Sequence, residues 1–161
     1  MSAALAAQVA ERLIARRQTL AVSESSTGGL VSAALLAVPG ASAFYVGGAI
    51  IYTAAAREAL FALNEEKLVG LRSATLPMAE LLAETVRTRL GTVWGLAETG
   101  ATGPTANPYG DAAGHCCLAI AGPRAATRSL ATGVSDRAGN MATFAEAALA
   151  LLVETLDARA G

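Results

Sequence analysis

The chain is poor in the side chains that most often move protons or hold metals. Its 161 residues include one histidine, His115, one lysine, Lys67, and two cysteines, Cys116 and Cys117. One histidine beside an adjacent cysteine pair gives no metal-ligand spacing, so no metal is expected. Neighbouring strand residues point to opposite faces. The two thiols are therefore not expected to join in a disulfide, and a reducing, cytoplasmic setting fits them best. Charge is also scarce: charged residues make up 16% and the formal net charge is −1. With no basic stripe to neutralise phosphates, a nucleic-acid partner is not expected. No uninterrupted apolar run reaches the length of a membrane span, and the N-terminus lacks the basic start and long apolar block of a signal peptide. No membrane partner is expected either. Disorder is excluded on the opposite ground, because hydrophobic residues reach 53%, far above what a disordered chain carries.

Much of that apolar excess is alanine in helix-like stretches, which favours close helix packing and a homo-oligomer. The length predicts one domain, residues 1–161. Ser2 caps a first helix running to Arg17, with Leu5, Val9, Leu13 and Ile14 on one face. Residues 19–22 read as a buried strand and 30–38 as an amphipathic helix that Pro39-Gly40 stops. A second strand is expected over 44–52, with Gly47-Gly48 at a bulge or a close approach. Thr53 caps a helix to Leu63, and a further helical turn spans 65–71. Thr75, followed by Pro77, opens a helix to Leu90 that Gly91 ends. A third strand over 93–98 leads into a glycine-rich loop over 99–114, long enough to be functional. A strand pair, 116–121 and 127–132, precedes a last helix from about Asn140, with Phe144, Ala148, Leu151 and Leu152 inward. This interleaving predicts an α/β chain: a three-layer α/β/α sandwich with a mixed, mainly parallel sheet.

The stretch Val22-Ser23-Glu24-Ser25-Ser26-Thr27-Gly28-Gly29 stands where the first strand hands over to a helix. Open α/β proteins bind ligands at such strand ends, and helix N-terminal amides suit an anion or an oxyanion. Ser25 is the first candidate nucleophile. Glu24 adjoins it but points the other way in extended backbone. Ser26 and Thr27 offer hydrogen bonds, and the amides that follow offer an oxyanion hole. The same run also reads as a plain capped turn. A second glycine-rich stretch, Thr99-Gly100-Ala101-Thr102-Gly103-Pro104, either faces the first across a crevice or is a surface turn. Arg57, shortly after Tyr52, either grips a phosphate or carboxylate or is a solvated helix residue. His115, after Asp111-Ala112-Ala113-Gly114, is either a general base or a structural histidine. Arg137, in Ser135-Asp136-Arg137, either binds an anion or belongs to a cap-and-surface pair.

Taken in order, five of these markers resemble the CinA C-terminal domain family: Glu24-Ser25-Ser26-Thr27-Gly28-Gly29, the segment 47–57 closing on Tyr52-x-x-x-x-Arg57, the stretch 99–104, Gly114 before a strand, and Asp136-Arg137 before the last helix. The resemblance covers nearly the whole chain. Members include bacterial amidohydrolases that convert nicotinamide mononucleotide to nicotinate mononucleotide and ammonia. It implies the three-layer fold, a homo-oligomer, no cofactor and a small-molecule substrate of the pyridine-nucleotide class. It also implies that Ser25 is a nucleophile forming an acyl-enzyme. Glu24, Ser26, Thr27, Gly28, Gly29, Tyr52, Gly100, Thr102, Gly103 and Arg137 are then expected around the substrate.

Departures bear on the chemistry. Ser26 replaces the family's usual cysteine, and Met141 aligns with a second family arginine. Arg57 stands where active members carry a lysine base, and an arginine does not give up its proton. Lys67 lies on a later segment. The stretch 107–115 also differs from the amidase pattern. Three expectations follow. The amidase chemistry survives with His115 as base. Or Arg57 turns the site into an anion pocket that binds a nucleotide without hydrolysis. Or the chain is a structural, oligomerising module. Because the sequence opens on this domain's own first helix, a stand-alone version of the domain is expected.

Overall fold

The computed structural model describes residues 2–158. Helix α1 (Ser2–Arg16) leads to strand β1 (Leu20–Glu24), helix α2 (Leu30–Leu36), strand β2 (Tyr45–Ile50) and helix α3 (Ala54–Phe61). Helix α4 (Leu76–Leu90), strands β3 (Trp94–Ala101), β4 (His115–Ala121) and β5 (Ala126–Ala131), and helix α5 (Arg137–Asp157) complete the chain. The sheet order is β2-β1-β3-β4-β5. β1 pairs in parallel with both β2 and β3, and β4 pairs antiparallel with both β3 and β5, so β4 alone runs against the others.

The side-chain period of two divides the sheet into a large face and a small face. Leu20, Val22, Leu96, Leu118 and Ile120 pack with α1, α2 and α5 around Leu13, Leu35, Phe144 and Leu152. Ala21, Ala97, Cys117, Ala119 and Ala121 face α4, packing with Met78, Leu82 and Val86. The small face lets α4 lie close. A Cβ on Gly95 would run into the Ala83 carbonyl oxygen, so β3 touches the helix backbone itself. Cys116 and Cys117 fall on opposite faces, and both are free thiols.

Local signals set most element ends. Thr53 Oγ1 accepts from Ala56 N at 3.2 Å and Thr75 Oγ1 from Met78 N at 3.3 Å, capping α3 and α4. Gly91 ends α4 with φ 63°. Pairing between β1 and β2 shifts register after Leu20, and Gly48 sits against the Val22 carbonyl, giving both the irregularity and the close approach that Gly47-Gly48 foretold. Strand β2 and helices α2 and α3 each stop two residues short of expectation, and three boundaries differ by more. β3 continues to Ala101 because Thr99 and Gly100 pair with Cys117 and Cys116 on β4, so only residues 102–114 form the loop. α5 starts at Arg137 rather than near Asn140. The turn expected over 65–71 shrinks to a 3-10 turn, Glu66–Leu68, held by Leu68 N on Glu65 O at 3.2 Å.

Candidate active site

β1, β2 and β3 run in one direction, so their carboxyl ends share one edge, and a cleft opens there. It consists of two adjoining cavities of about 220 and 210 Å³ that share Tyr52, Gly100, Asn107 and Pro108. Ser25 and Arg57 line the first, with Ser73, Thr99 and Tyr109. Ser26 and Arg137 line the second, with Thr102 and Gly103. The two serines thus face different halves of one cleft.

Beneath them lies a network of two buried carboxyls. Glu24 Oε1 accepts from Ser32 N at 2.8 Å and Ser32 Oγ at 2.6 Å. Its Oε2 accepts from Gly29 N at 2.9 Å, Val31 N at 3.1 Å and Thr27 Oγ1 at 2.8 Å. Glu24 is therefore the cap of α2, reaching from the preceding strand, and not a group that faces the cleft. The consequence corrects an expectation. The amides at the start of α2 are filled by the chain's own carboxylate and are not free for a substrate anion.

The second carboxyl, Glu98 on β3, is the residue the sequence reading passed over. Its Oε2 accepts from Ser25 N at 3.0 Å, Thr27 N at 2.9 Å and Thr27 Oγ1 at 2.9 Å, and its Oε1 meets Ser26 Oγ in a very short hydrogen bond. Only 1% of Glu98 is exposed, and burial raises its carboxyl above the ordinary value against the pull of these hydrogen bonds. One signal was available: a lone charge inside the apolar run Trp94-Gly95-Leu96-Ala97-Glu98. The Thr27 hydroxyl lies between Oε2 of both glutamates and has one proton to give, so the two carboxyls compete for it. Of the amides from Ser25 to Ser32, those of Ser25 and Thr27 go to Glu98, those of Gly29, Val31 and Ser32 to Glu24, and those of Gly28 and Leu30 to backbone carbonyls. The Ser26 N–H is left without an acceptor among the described residues.

The other candidates divide. Arg57 Nη1 donates to Ser73 Oγ at 3.0 Å, while its Nε is buried without a partner. Arg137 donates to the Gly103 carbonyl and, at 3.1 Å, to the Tyr52 hydroxyl, closing one wall of the second cavity. Gly28 and Gly29 take positive φ values, 63° and 101°, that let the turn reach α2, and neither lines a cavity. Met141 Cε lies where a Cβ on Gly28 would be met at 3.1 Å. His115 lies outside the cleft lining. Its Nε2 donates to the Ala74 carbonyl at 2.8 Å, which fixes the tautomer, and Cys117 Sγ is 3.6 Å from that nitrogen. Ala74, at φ 58°, also gives its N–H to Thr99 Oγ1 at 3.0 Å, so His115 braces this turn instead of serving Ser25 as a base. Lys67 Nζ donates to the Ala62 carbonyl at 2.9 Å and is likewise absent from the lining.

The loop 102–114 forms the cleft's outer wall and is ordered by its own polar groups. Asn107 Oδ1 accepts from Tyr109 N at 3.1 Å and Asp111 N at 2.9 Å, and Arg72 grips Asp111 at 2.6 and 3.1 Å. The Arg72 hydrogen bond, with a further one from Asn107, holds the Asp111 carboxyl down to about 2. Among the described residues, no cluster of three or more histidine, cysteine or acidic side chains could hold a metal, and no helix is long and apolar enough to cross a membrane.

A three-layer sandwich with polar loops gathered at the carboxyl ends of its parallel strands defines an α/β protein with a polar cleft at that edge of the sheet. Residues 2–156 match the model of the CinA C-terminal domain, and the chain belongs to that family. It is 39% identical over 139 residues to a CinA-like protein of Myxococcus xanthus, covering 84% of this chain and 33% of that protein. It is 38% identical over 119 residues to a CinA-like protein of Gloeobacter violaceus, covering 74% and 28%. The chain thus spans about a third of the length of these relatives. Among solved structures, a competence-damaged protein (CinA) superfamily protein of Klebsiella pneumoniae superposes with a TM-score of 0.90 at 27% identity, covering 97% of this chain and 98% of that one.

Proposed function

We propose that the chain is an amidohydrolase acting on a pyridine nucleotide, releasing ammonia from a carboxamide such as that of nicotinamide mononucleotide, with a serine of the Ser25-Ser26 pair as nucleophile. The observation that carries this reading is the placing of both serines on one cleft that also holds two arginines and two tyrosines, Arg57, Arg137, Tyr52 and Tyr109. A phosphate suits the arginines and a flat heteroaromatic ring suits the tyrosines. The test is ammonia release from nicotinamide mononucleotide by the wild type, Ser25→Ala and Ser26→Ala proteins. Turnover by the wild type that at least one substitution lowers by about 100-fold or more supports the reading. An inert wild type removes it.

One observation favours a second reading, in which the cleft binds a nucleotide without hydrolysing it. Arg57 replaces the base expected from the family and keeps a buried, unpartnered Nε. Calorimetry that finds binding of the nucleotide, lost in Arg57→Ala, with no ammonia released, selects this reading over the first.

A further inference from the structure

We propose that Ser26 and Glu98 form the nucleophile–base pair of this cleft, with Glu98 in the role that Arg57 cannot fill. This rests on the hydrolytic reading above and names the groups that carry it.

The geometry separates the two serines. Among the described residues no group hydrogen-bonds to Ser25 Oγ. The cation on its cavity is Arg57, which keeps its proton. His115 is spent on the Ala74 carbonyl. Ser26 has what Ser25 lacks. Its Oγ lies against Glu98 Oε1, the short contact of a hydroxyl with a carboxyl. It lines the second cavity beside Gly100, Thr102 and Arg137. Its own N–H is uncommitted and can serve an oxyanion, as no other amide of the motif can. Glu98 is held on its far oxygen by the N–H groups of Ser25 and Thr27, which leaves Oε1 to Ser26 alone.

The step balances without any further reagent. Ser26 Oγ adds to the amide carbon while its proton passes to Glu98 Oε1. The adduct collapses with cleavage of the C–N bond, and Glu98 returns that proton to the departing nitrogen, so ammonia leaves. Water then attacks the ester on Ser26, giving its proton to Glu98. Glu98 passes it to Ser26 Oγ as the acid is released. Burial lifts the Glu98 carboxyl above the ordinary range, which makes it a stronger base than an exposed glutamate. The titratable groups near it are Glu24, across the Thr27 hydroxyl, the Cys116 thiol on its own face of the sheet, and the Cys117 thiol on the opposite face. Burial raises both thiols, Cys117 to about 11, so they stay neutral beside it.

The experiment is labelling of the full chain with a fluorophosphonate, which phosphonylates activated serines, with the site mapped by peptide mass spectrometry. The expected result is label on Ser26, none at that position in Ser26→Ala, and labelling about 100-fold slower in Glu98→Gln. The wild-type rate should rise with pH through a range above the ordinary carboxylate value and then level off. This supplies a Glu98 readout that needs no substitution, should Glu98→Gln fold poorly by circular dichroism. Label on Ser25, no label on either serine, or a pH profile without a plateau overturns the pair. Two outcomes separate this proposal from the function it rests on. Glu98-dependent label on Ser26 without turnover of nicotinamide mononucleotide keeps the pair and removes the substrate. Turnover with label on Ser25 keeps the function and removes the pair.

Discussion

Glu24 and Glu98 differ in task although each is buried under the same turn. Glu24 spends both oxygens on one helix end, accepting five hydrogen bonds from Thr27, Gly29, Val31 and Ser32. Removing it leaves three amides and the Ser32 hydroxyl without their acceptor, while the Thr27 hydroxyl keeps Glu98. Glu24→Ala should lower stability by about 3 kcal/mol, read as a fall in the urea midpoint, because buried donors left unmade cost more than a net hydrogen bond gains. A loss below about 1 kcal/mol would mean that water replaces the carboxylate at the start of α2. Asp111 shows the opposite balance, since a partly exposed arginine holds it. Its carboxyl sits at about 2 in the folded chain against an ordinary 3.8. Between those values the unfolded chain binds more protons, so the stabilisation is complete above 3.8 and disappears as pH falls toward 2. Proteolysis within residues 102–114 should therefore speed up over that window, and Asp111→Asn should show the faster rate already at neutral pH.

At the scale of elements, the small face of the sheet sets how closely α4 approaches. Gly95 is the tightest point, with the Ala83 carbonyl where a side chain would begin. Gly95→Ala should cost about 1–3 kcal/mol by forcing helix and strand apart, measured by chemical denaturation. Most of these elements were legible in the sequence because local chemistry writes them: Thr53 and Thr75 as caps, Gly91 as a left-handed stop, the bulge before Gly48. The misjudged ends depend on partners far along the chain. Thr99 to Ala101 is strand only because β4 returns beside it, and nothing local announces that pairing. The site divides in the same way. The run from Glu24 to Gly29 marked the cleft by its composition, but the role of Glu98 arises from a partner 72 positions earlier, Ser26. His115 was misplaced for the same reason, since the carbonyl that holds it belongs to Ala74, 41 positions earlier.

For the whole molecule, the sheet is a shared wall between two apolar clusters of unequal build. The cluster under α1, α2 and α5 holds Phe44, Phe144 and many leucines, whereas the sheet's contribution to the other is alanine and Cys117. Burying an alanine removes less apolar surface from water than burying a leucine, so the α3–α4 side is the lighter half. It does not follow that it melts alone. α4 rests on the backbone of β3, and β3 pairs with β1 on one side and β4 on the other, so peeling α4 away exposes the central strands that the heavier cluster also needs. Unfolding should then be one transition. Trp94, the only tryptophan, sits at the start of β3 on the heavier face, its indole N–H on Gln18 Oε1 at 2.8 Å. Its fluorescence reports that cluster, while far-ultraviolet circular dichroism reports all the helices. Urea midpoints from the two signals should coincide. A circular dichroism loss that precedes the fluorescence change would mean that the α3–α4 layer, which carries Arg57 and one wall of the Ser25 cavity, opens independently of the rest.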